Sequence, residues 1–241
     1  MVMFHHSKKT EKHENLKLVC FDFDNVLVDG NFLVTAMKLL DNEAADLKML
    51  AGLLKGTRDP DYFDVFIQKI AGLMKGFEIK KLRGLITLLE PMNGLKHTLK
   101  TLHKKGVKVV VLSTNDERLI KEFLDRNKVL EYVDSVHGII MDVKDGKLTG
   151  KYKGNLTPHQ KLDTLKQIVK KYNIGDDEYA YVGDGLTDIP IFEKIDNGIV
   201  FCPDPITKIA ILTNEHTVER INSGKLSLVH EKDLTDVLKL V

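Results

Sequence analysis

Two aspartates, Asp22 and Asp24, interrupt an apolar stretch near the N-terminus, Val19-Cys20-Phe21-Asp22-Phe23-Asp24-Asn25-Val26-Leu27. Side chains two apart on a strand point to the same side, so both carboxylates are expected at one spot. Burying unpaired charge is costly, and neighbouring like charges make each other harder to ionise. Such a pair needs a cation, a shared proton, or both. The plain alternative is two solvated turn residues closing an ordinary strand. Further along, Ser113 follows an apolar run at 107–112, and Asp184 and Asp188 follow another at 179–182. Between them Lys161 falls in the first turn of an expected helix, where a cation opposes the helix dipole at a cost of roughly 0.3–1 kcal/mol. A nearby carboxylate or other anion would offset that cost. Otherwise Lys161 reads as one more solvated cation among 36 Lys and Arg.

The elements that must position these groups alternate between strands and helices. Continuous apolar runs at 16–24, 107–112, 136–140, 179–182 and 198–201 predict strands, mostly of the buried kind found in parallel sheets. Asp145-Gly146 marks a hairpin turn, and 227–230 reads as an edge strand. Helical spacing begins after Asp29-Gly30 with Phe32, Leu33, Met37 and Leu40 and continues through Leu47, Leu50 and Leu54. Two further helices are marked by Phe63 to Leu73 and by Ile79 to Leu89. Nothing between 31 and 90 alternates like a strand, so this stretch is either a small helical subdomain or a set of crossover helices. Later helices begin near 91–94, at a capping box of Thr114 with Glu117, and at a second of Thr157 with Gln160, where Pro158 takes the first helical position. Residues 203–212 and 234–240 predict the last two. The pattern is that of an α/β doubly wound, mainly parallel sheet, whose ligands bind at the carboxyl ends of strands.

At 241 residues, with 43% apolar and 29% charged residues, the chain suits one large domain or a main domain with an insertion. A net charge of +1 argues against nucleic acid held by bulk electrostatics. No apolar run is long enough to span a bilayer, and residues 1–15 read as a loose polar arm rather than a secretory signal. Cys20 and Cys202 lie in apolar runs and are expected as buried free thiols, in keeping with a cytoplasmic protein. His97, His137 and His159 lack metal-type spacing and are expected at the surface or at helix ends. Gly183-Asp184-Gly185 puts Asp188 where a dinucleotide fingerprint needs its third glycine, so a nucleotide cofactor is discounted.

Taken together, Asp22-Phe23-Asp24-Asn25-Val26-Leu27, Ser113, Lys161 and Gly183-Asp184-Gly185-Leu186-Thr187-Asp188 resemble, in order, the four signatures of the haloacid dehalogenase-like (HAD) hydrolases. The resemblance covers nearly the whole chain from Leu16 and is nearest to the phosphoserine-phosphatase-like branch, which shares the look of residues 143–150. It implies a Rossmann-like core at 16–30 and 91–241 and a helical C1 cap at 31–90. It also implies a Mg²⁺-dependent phosphatase acting on a small phosphorylated metabolite through an aspartyl-phosphate. Asp22 would be the nucleophile and Asp24 the acid and base. Ser113, with Thr114 and Asn115 beside it, would bind phosphate. Lys161 would screen the phosphoryl charge. Asp22, Asp184 and the main-chain carbonyl of Asp24 would hold the metal, with Asp188 behind them. The rival is a catalytically weak member that binds a phosphorylated ligand as a regulator. Neither nucleic acid nor membrane is expected as a partner, and the chain is expected as a monomer or homodimer.

Several positions depart from the phosphoserine phosphatases. Asn31 stands where they usually carry an acidic residue, Thr114-Asn115 where glycines usually follow the serine, and Thr187 where Asn is common. These departures fall where a serine moiety would be read and argue against phosphoserine. Arg58 and Arg83 are cations of the 31–90 stretch, expected on solvated helix faces.

Overall fold

The computed structural model describes residues 15–39, 60–154 and 158–241. Expectations at 1–14 and 40–59, including Arg58, Leu47, Leu50 and Leu54, and the Thr157 cap lie outside these residues. In chain order the elements are β1 (Leu18–Phe21), α1 (Phe32–Leu39), α2 (Pro60–Leu73), α3 (Ile79–Ile86), α4 (Leu95–Lys104), β2 (Lys108–Asp116) and α5 (Glu117–Arg126). There follow β3 (Ser135–Lys144), β4 (Lys147–Lys153), α6 (Pro158–Lys171), β5 (Tyr179–Gly183), α7 (Ile189–Phe192), β6 (Gly198–Phe201), α8 (Pro205–Thr213), α9 (Glu215–Asn222) and β7 (Leu226–Val229). A 3₁₀ turn at Leu234–Lys239 stands where a closing helix was expected, and α9 was not foreseen.

The strands form one seven-stranded sheet in the order β4-β3-β2-β1-β5-β6-β7. Every neighbouring pair is parallel except the β3–β4 hairpin. That hairpin turns at Asp145 and Gly146, both at positive φ (52° and 76°), the backbone that the tight primed hairpin turns require. β1 is buried along its length and alternates between two cores. Val19 and Phe21 face the layer that holds α4 and α5, while Leu18 and Cys20 face the layer that holds α6 and α7. This two-sided burial is why its sequence shows no alternation.

Three expectations need correction. β1 stops at Phe21, so Asp22 and Asp24 leave from the turn after the strand rather than from the strand itself. Thr114 does not cap α5: β2 runs extended to Asp116, pairing Asp116 with Ile139 across a bulge, and Asp116 caps the helix by accepting from the Arg118 amide. Cys202 lies beyond β6 at positive φ (44°) and is only half-buried, whereas Cys20 is fully buried; both thiols are free.

Candidate active site

From central β1 the chain builds outward through β2, β3 and β4 on one side, then crosses back to β5, β6 and β7 on the other, so a crevice opens at the carboxyl ends of β1, β2 and β5. The carboxylates, Ser113 and Lys161 gather there. The Asp22 amide donates to the Val182 carbonyl of β5 at 2.8 Å, and one Asp22 carboxylate oxygen accepts from the Phe23 amide at 2.6 Å. The chain then turns sharply. Asn25 takes positive φ (54°), and the Leu27 and Val28 amides both donate to the Phe23 carbonyl. This turn, not strand pleat, aims both acids into one cavity. Asp24 joins three elements: Oδ1 accepts from the Phe32 amide that opens α1 (2.9 Å), and Oδ2 accepts from Asn115 Nδ2 at the end of β2 (2.8 Å).

Lys161 enters from the first turn of α6 and is 1% exposed. Its Nζ lies 2.8 Å from Asp22 Oδ2 and 2.6 Å from Asp188 Oδ1. These two carboxylates supply the offset that its position in the helix calls for. Burial pulls its ammonium toward neutrality, but Asp188 and Asp22 outweigh that and hold it above its ordinary pKa. Asp188 is held on both oxygens: Oδ1 also accepts from Tyr181 Oη at 2.6 Å, and Oδ2 accepts from the Gly185 amide at 3.1 Å. A Cβ on Gly183 would lie 2.4 Å from Asp188 Oδ2, so glycine there is a condition for this packing. Asp188 therefore acts as the anchor of Lys161.

Ser113 is buried in the carboxyl-terminal half of β2, its hydroxyl accepting from the Asn115 amide at 3.3 Å. Thr114 lines the same cavity. Asp184 accepts from Asn25 Nδ2 at 2.9 Å and lies with Asp22 and Asp188 so that one carboxylate oxygen of each falls within 4.8 Å of the others. Burial raises the Asp22 carboxyl against the pull of Lys161. Burial, with Asp188 and Asp22 adding to it, holds Asp184 well above the usual carboxylate range. Burial likewise pushes Asp24 up to about 7, against the bonds from Phe32 and Asn115. The inner site thus sets four carboxylates, Asp22, Asp24, Asp184 and Asp188, against one ammonium, an imbalance that a hard divalent cation with oxygen ligands would reduce.

Of the site residues expected from the sequence, Asp22, Asp24, Ser113, Thr114, Asn115 and Asp184 line this crevice, while Lys161 and Asp188 lie buried beneath it and meet it through Asp22. Asn25 and Tyr181 were not anticipated, although a tyrosine in an otherwise apolar buried strand is the signal that it has a polar partner. Asn31 accepts from the Val34 amide and so caps α1. Arg83 pairs with Glu122 of α5 at 3.2 Å on the surface, away from the crevice.

A doubly wound sheet with an acid pair after its first strand, a buried lysine and a further acid cluster at the switch point fits a hydrolase that stabilises charge on a transferred group. A family model described as haloacid dehalogenase-like hydrolase matches residues 16–196, and the chain belongs to that family. It is 31% identical over 195 residues to the phosphoserine phosphatase of Methanocaldococcus jannaschii, covering 80% of this chain and 88% of that one. It is 25% identical to that of Wolinella succinogenes, covering 92% and 98%. A solved phospho-aspartyl intermediate analogue of phosphoserine phosphatase superposes with a TM-score of 0.76 at 27% identity, covering 95% of this chain and 100% of the other. Among the described residues no helix is long and apolar enough to cross a membrane.

Proposed function

We propose that this chain is a Mg²⁺-dependent phosphatase that hydrolyses a small phosphomonoester through a phosphorylated Asp22. The observation that carries the reading is the pairing of Asp22 with a buried lysine while Asp24, two residues on, has a carboxyl raised to about 7. One acid lies against an ammonium that favours its attacking, ionised form; the other can carry a proton near neutrality.

In the first step Asp22 attacks phosphorus, and the bond from phosphorus to the substrate's alcohol oxygen breaks. Asp24 gives its proton to that oxygen, and the alcohol leaves. In the second step Asp24, now a carboxylate, takes a proton from water as the water attacks phosphorus. The Asp22–phosphorus bond breaks and inorganic phosphate is released. Ser113, with Thr114 and Asn115, would hold phosphoryl oxygens, and Lys161 would balance their charge while Asp188 and Tyr181 keep its ammonium in place. Asp22, Asp184 and the Asp24 main-chain carbonyl would hold Mg²⁺, which supplies neutralisation of the charge that builds on the phosphoryl group.

Residues 31–90 would act as a helical cap over a core of 16–30 and 91–241, excluding water from Asp22. Two free thiols fit a reducing cytoplasm. The test is phosphate release from an aryl phosphate with Mg²⁺. Asp22→Asn and chelation with EDTA should each abolish it. Release that persists in either case would reject the corresponding assignment.

A further inference from the structure

Asp184 follows directly on β5, and the chain on either side of it is held. Gly183 pairs with Val200 of β6, and the Gly185 amide donates to Asp188 Oδ2 at 3.1 Å. These contacts fix the backbone and leave the rotation of the Asp184 side chain open. Lys161 directs its ammonium at Asp22 and Asp188 instead. The donor that reaches the Asp184 carboxylate comes from the turn after β1: Asn25 Nδ2 lies 2.9 Å from Asp184 Oδ2.

The backbone places Asn25 for this contact. Its positive φ (54°) lies in the left-handed region, where Asn is several-fold enriched among non-glycine residues. Its own amide donates to the Gly30 carbonyl at 2.8 Å and closes the turn, while the Asp22 amide donates to Val182 of β5 at 2.8 Å. The turn is thus anchored to the strand that delivers Asp184. An ionised carboxylate only accepts hydrogen bonds, so the nitrogen of the Asn25 amide, not its oxygen, must face it. Asn25 and Asp184 line the same cavity, and an oxygen of Asp184 lies within 4.8 Å of oxygens of Asp22 and Asp188.

We propose that Asn25 is a positioning residue of the metal site, its side-chain amide fixing the rotation of the Asp184 carboxylate before the ion binds. The proposal rests on the phosphatase reading, with Asp184 as a ligand, and adds to it the residue that orients that ligand. A carboxylate already turned toward the ion loses less freedom on binding it. The loss of hydrogen-bonding partners behind a metal ligand typically costs about 10–100-fold in metal affinity.

The experiment measures the Kd of the full chain for Mg²⁺ by isothermal titration calorimetry. It reads the folded protein directly, so a contribution of Asn25 to stability alone does not move it. Asn25→Gly, whose backbone accepts positive φ, should weaken Mg²⁺ binding by about 10–100-fold. Asn25→Ala should give a similar weakening, which traces the effect to the lost amide rather than to a looser turn. In an Asp184→Ala background either change should add little, as expected of two residues that act through one contact. Mg²⁺ affinity equal to wild type in both variants, or a loss just as large without Asp184, would overturn the role of Asn25 and leave the phosphatase standing. Unchanged Mg²⁺ affinity with weaker inhibition by inorganic phosphate would overturn it too, making Asn25 a phosphoryl contact. Wild-type protein that takes up no Mg²⁺ would instead reject the metal site itself, and the proposal would fall with it.

Discussion

Lys161 reaches Asp22 and Asp188 from inside the layer between α6 and the sheet, with 1% of its surface exposed. Replacing it by Met keeps most of the volume and removes the charge, leaving two buried carboxylates without their counter-ion. Breaking a buried pair in this way typically costs about 3–5 kcal/mol, so Lys161→Met should lower the urea midpoint by a corresponding amount and abolish turnover. Adding Asp188→Asn should recover part of the stability and none of the activity. Equal stability of Lys161→Met and wild type would mean that the ion pair contributes nothing to the fold. Lys161 could be singled out in the sequence only by its place between the strand ends that carry Ser113 and Asp184, in the first turn of a helix. Its burial is a property of the assembled layers, which residue type and spacing do not reveal.

At the scale of elements, the end of β5 and the turn after it decide where Asp188 sits. Gly183 is the last residue of β5, and a side chain there would collide with Asp188 and with the Tyr181 ring. Gly183→Ala should therefore displace Asp188 from Lys161, costing about 1–3 kcal/mol in thermal or urea unfolding as overpacked sites do. It should lower turnover more than Gly146→Ala in the distant hairpin. A Gly183→Ala protein with unchanged stability and turnover would refute the close-packing argument.

The central strands were legible because burial on both faces leaves unbroken apolar runs: 179–182 and 198–201 match β5 and β6 almost to the residue. The turn after Phe21 was not, because the pleat and a tight turn can both bring Asp22 and Asp24 to one side. Thr114 was misread as a cap because Thr-x-x-Glu fits a capping box locally. Pairing with β3 and the Asp116–Arg118 contacts, both set by tertiary structure, carry the strand two residues further.

For the molecule as a whole, the inner site carries more negative than positive charge at the point where two halves of the sheet diverge. A cation bound only by the folded state should stabilise it by mass action, about 2.7 kcal/mol at a hundredfold excess over its dissociation constant. For a chain of this size that corresponds to a rise in Tm of roughly 5–11 °C. Calorimetry with Mg²⁺ and with EDTA measures it. Asp184→Asn should shrink the Mg²⁺ shift and, by removing a carboxylate that burial and its neighbours disfavour, should raise Tm in EDTA above that of wild type. A Mg²⁺ shift equal in both proteins would place the ion elsewhere.

The chemistry itself turns on whether phosphorus becomes bonded to Asp22. Quenching the enzyme during turnover and reducing it with borohydride converts a phosphorylated aspartate to homoserine, which peptide mass spectrometry can locate. Homoserine at position 22, and at none of Asp24, Asp184 or Asp188, is the expected result. Phosphate release with Asp22 unmodified at every quench time, under conditions that trap a known aspartyl-phosphate, would contradict it.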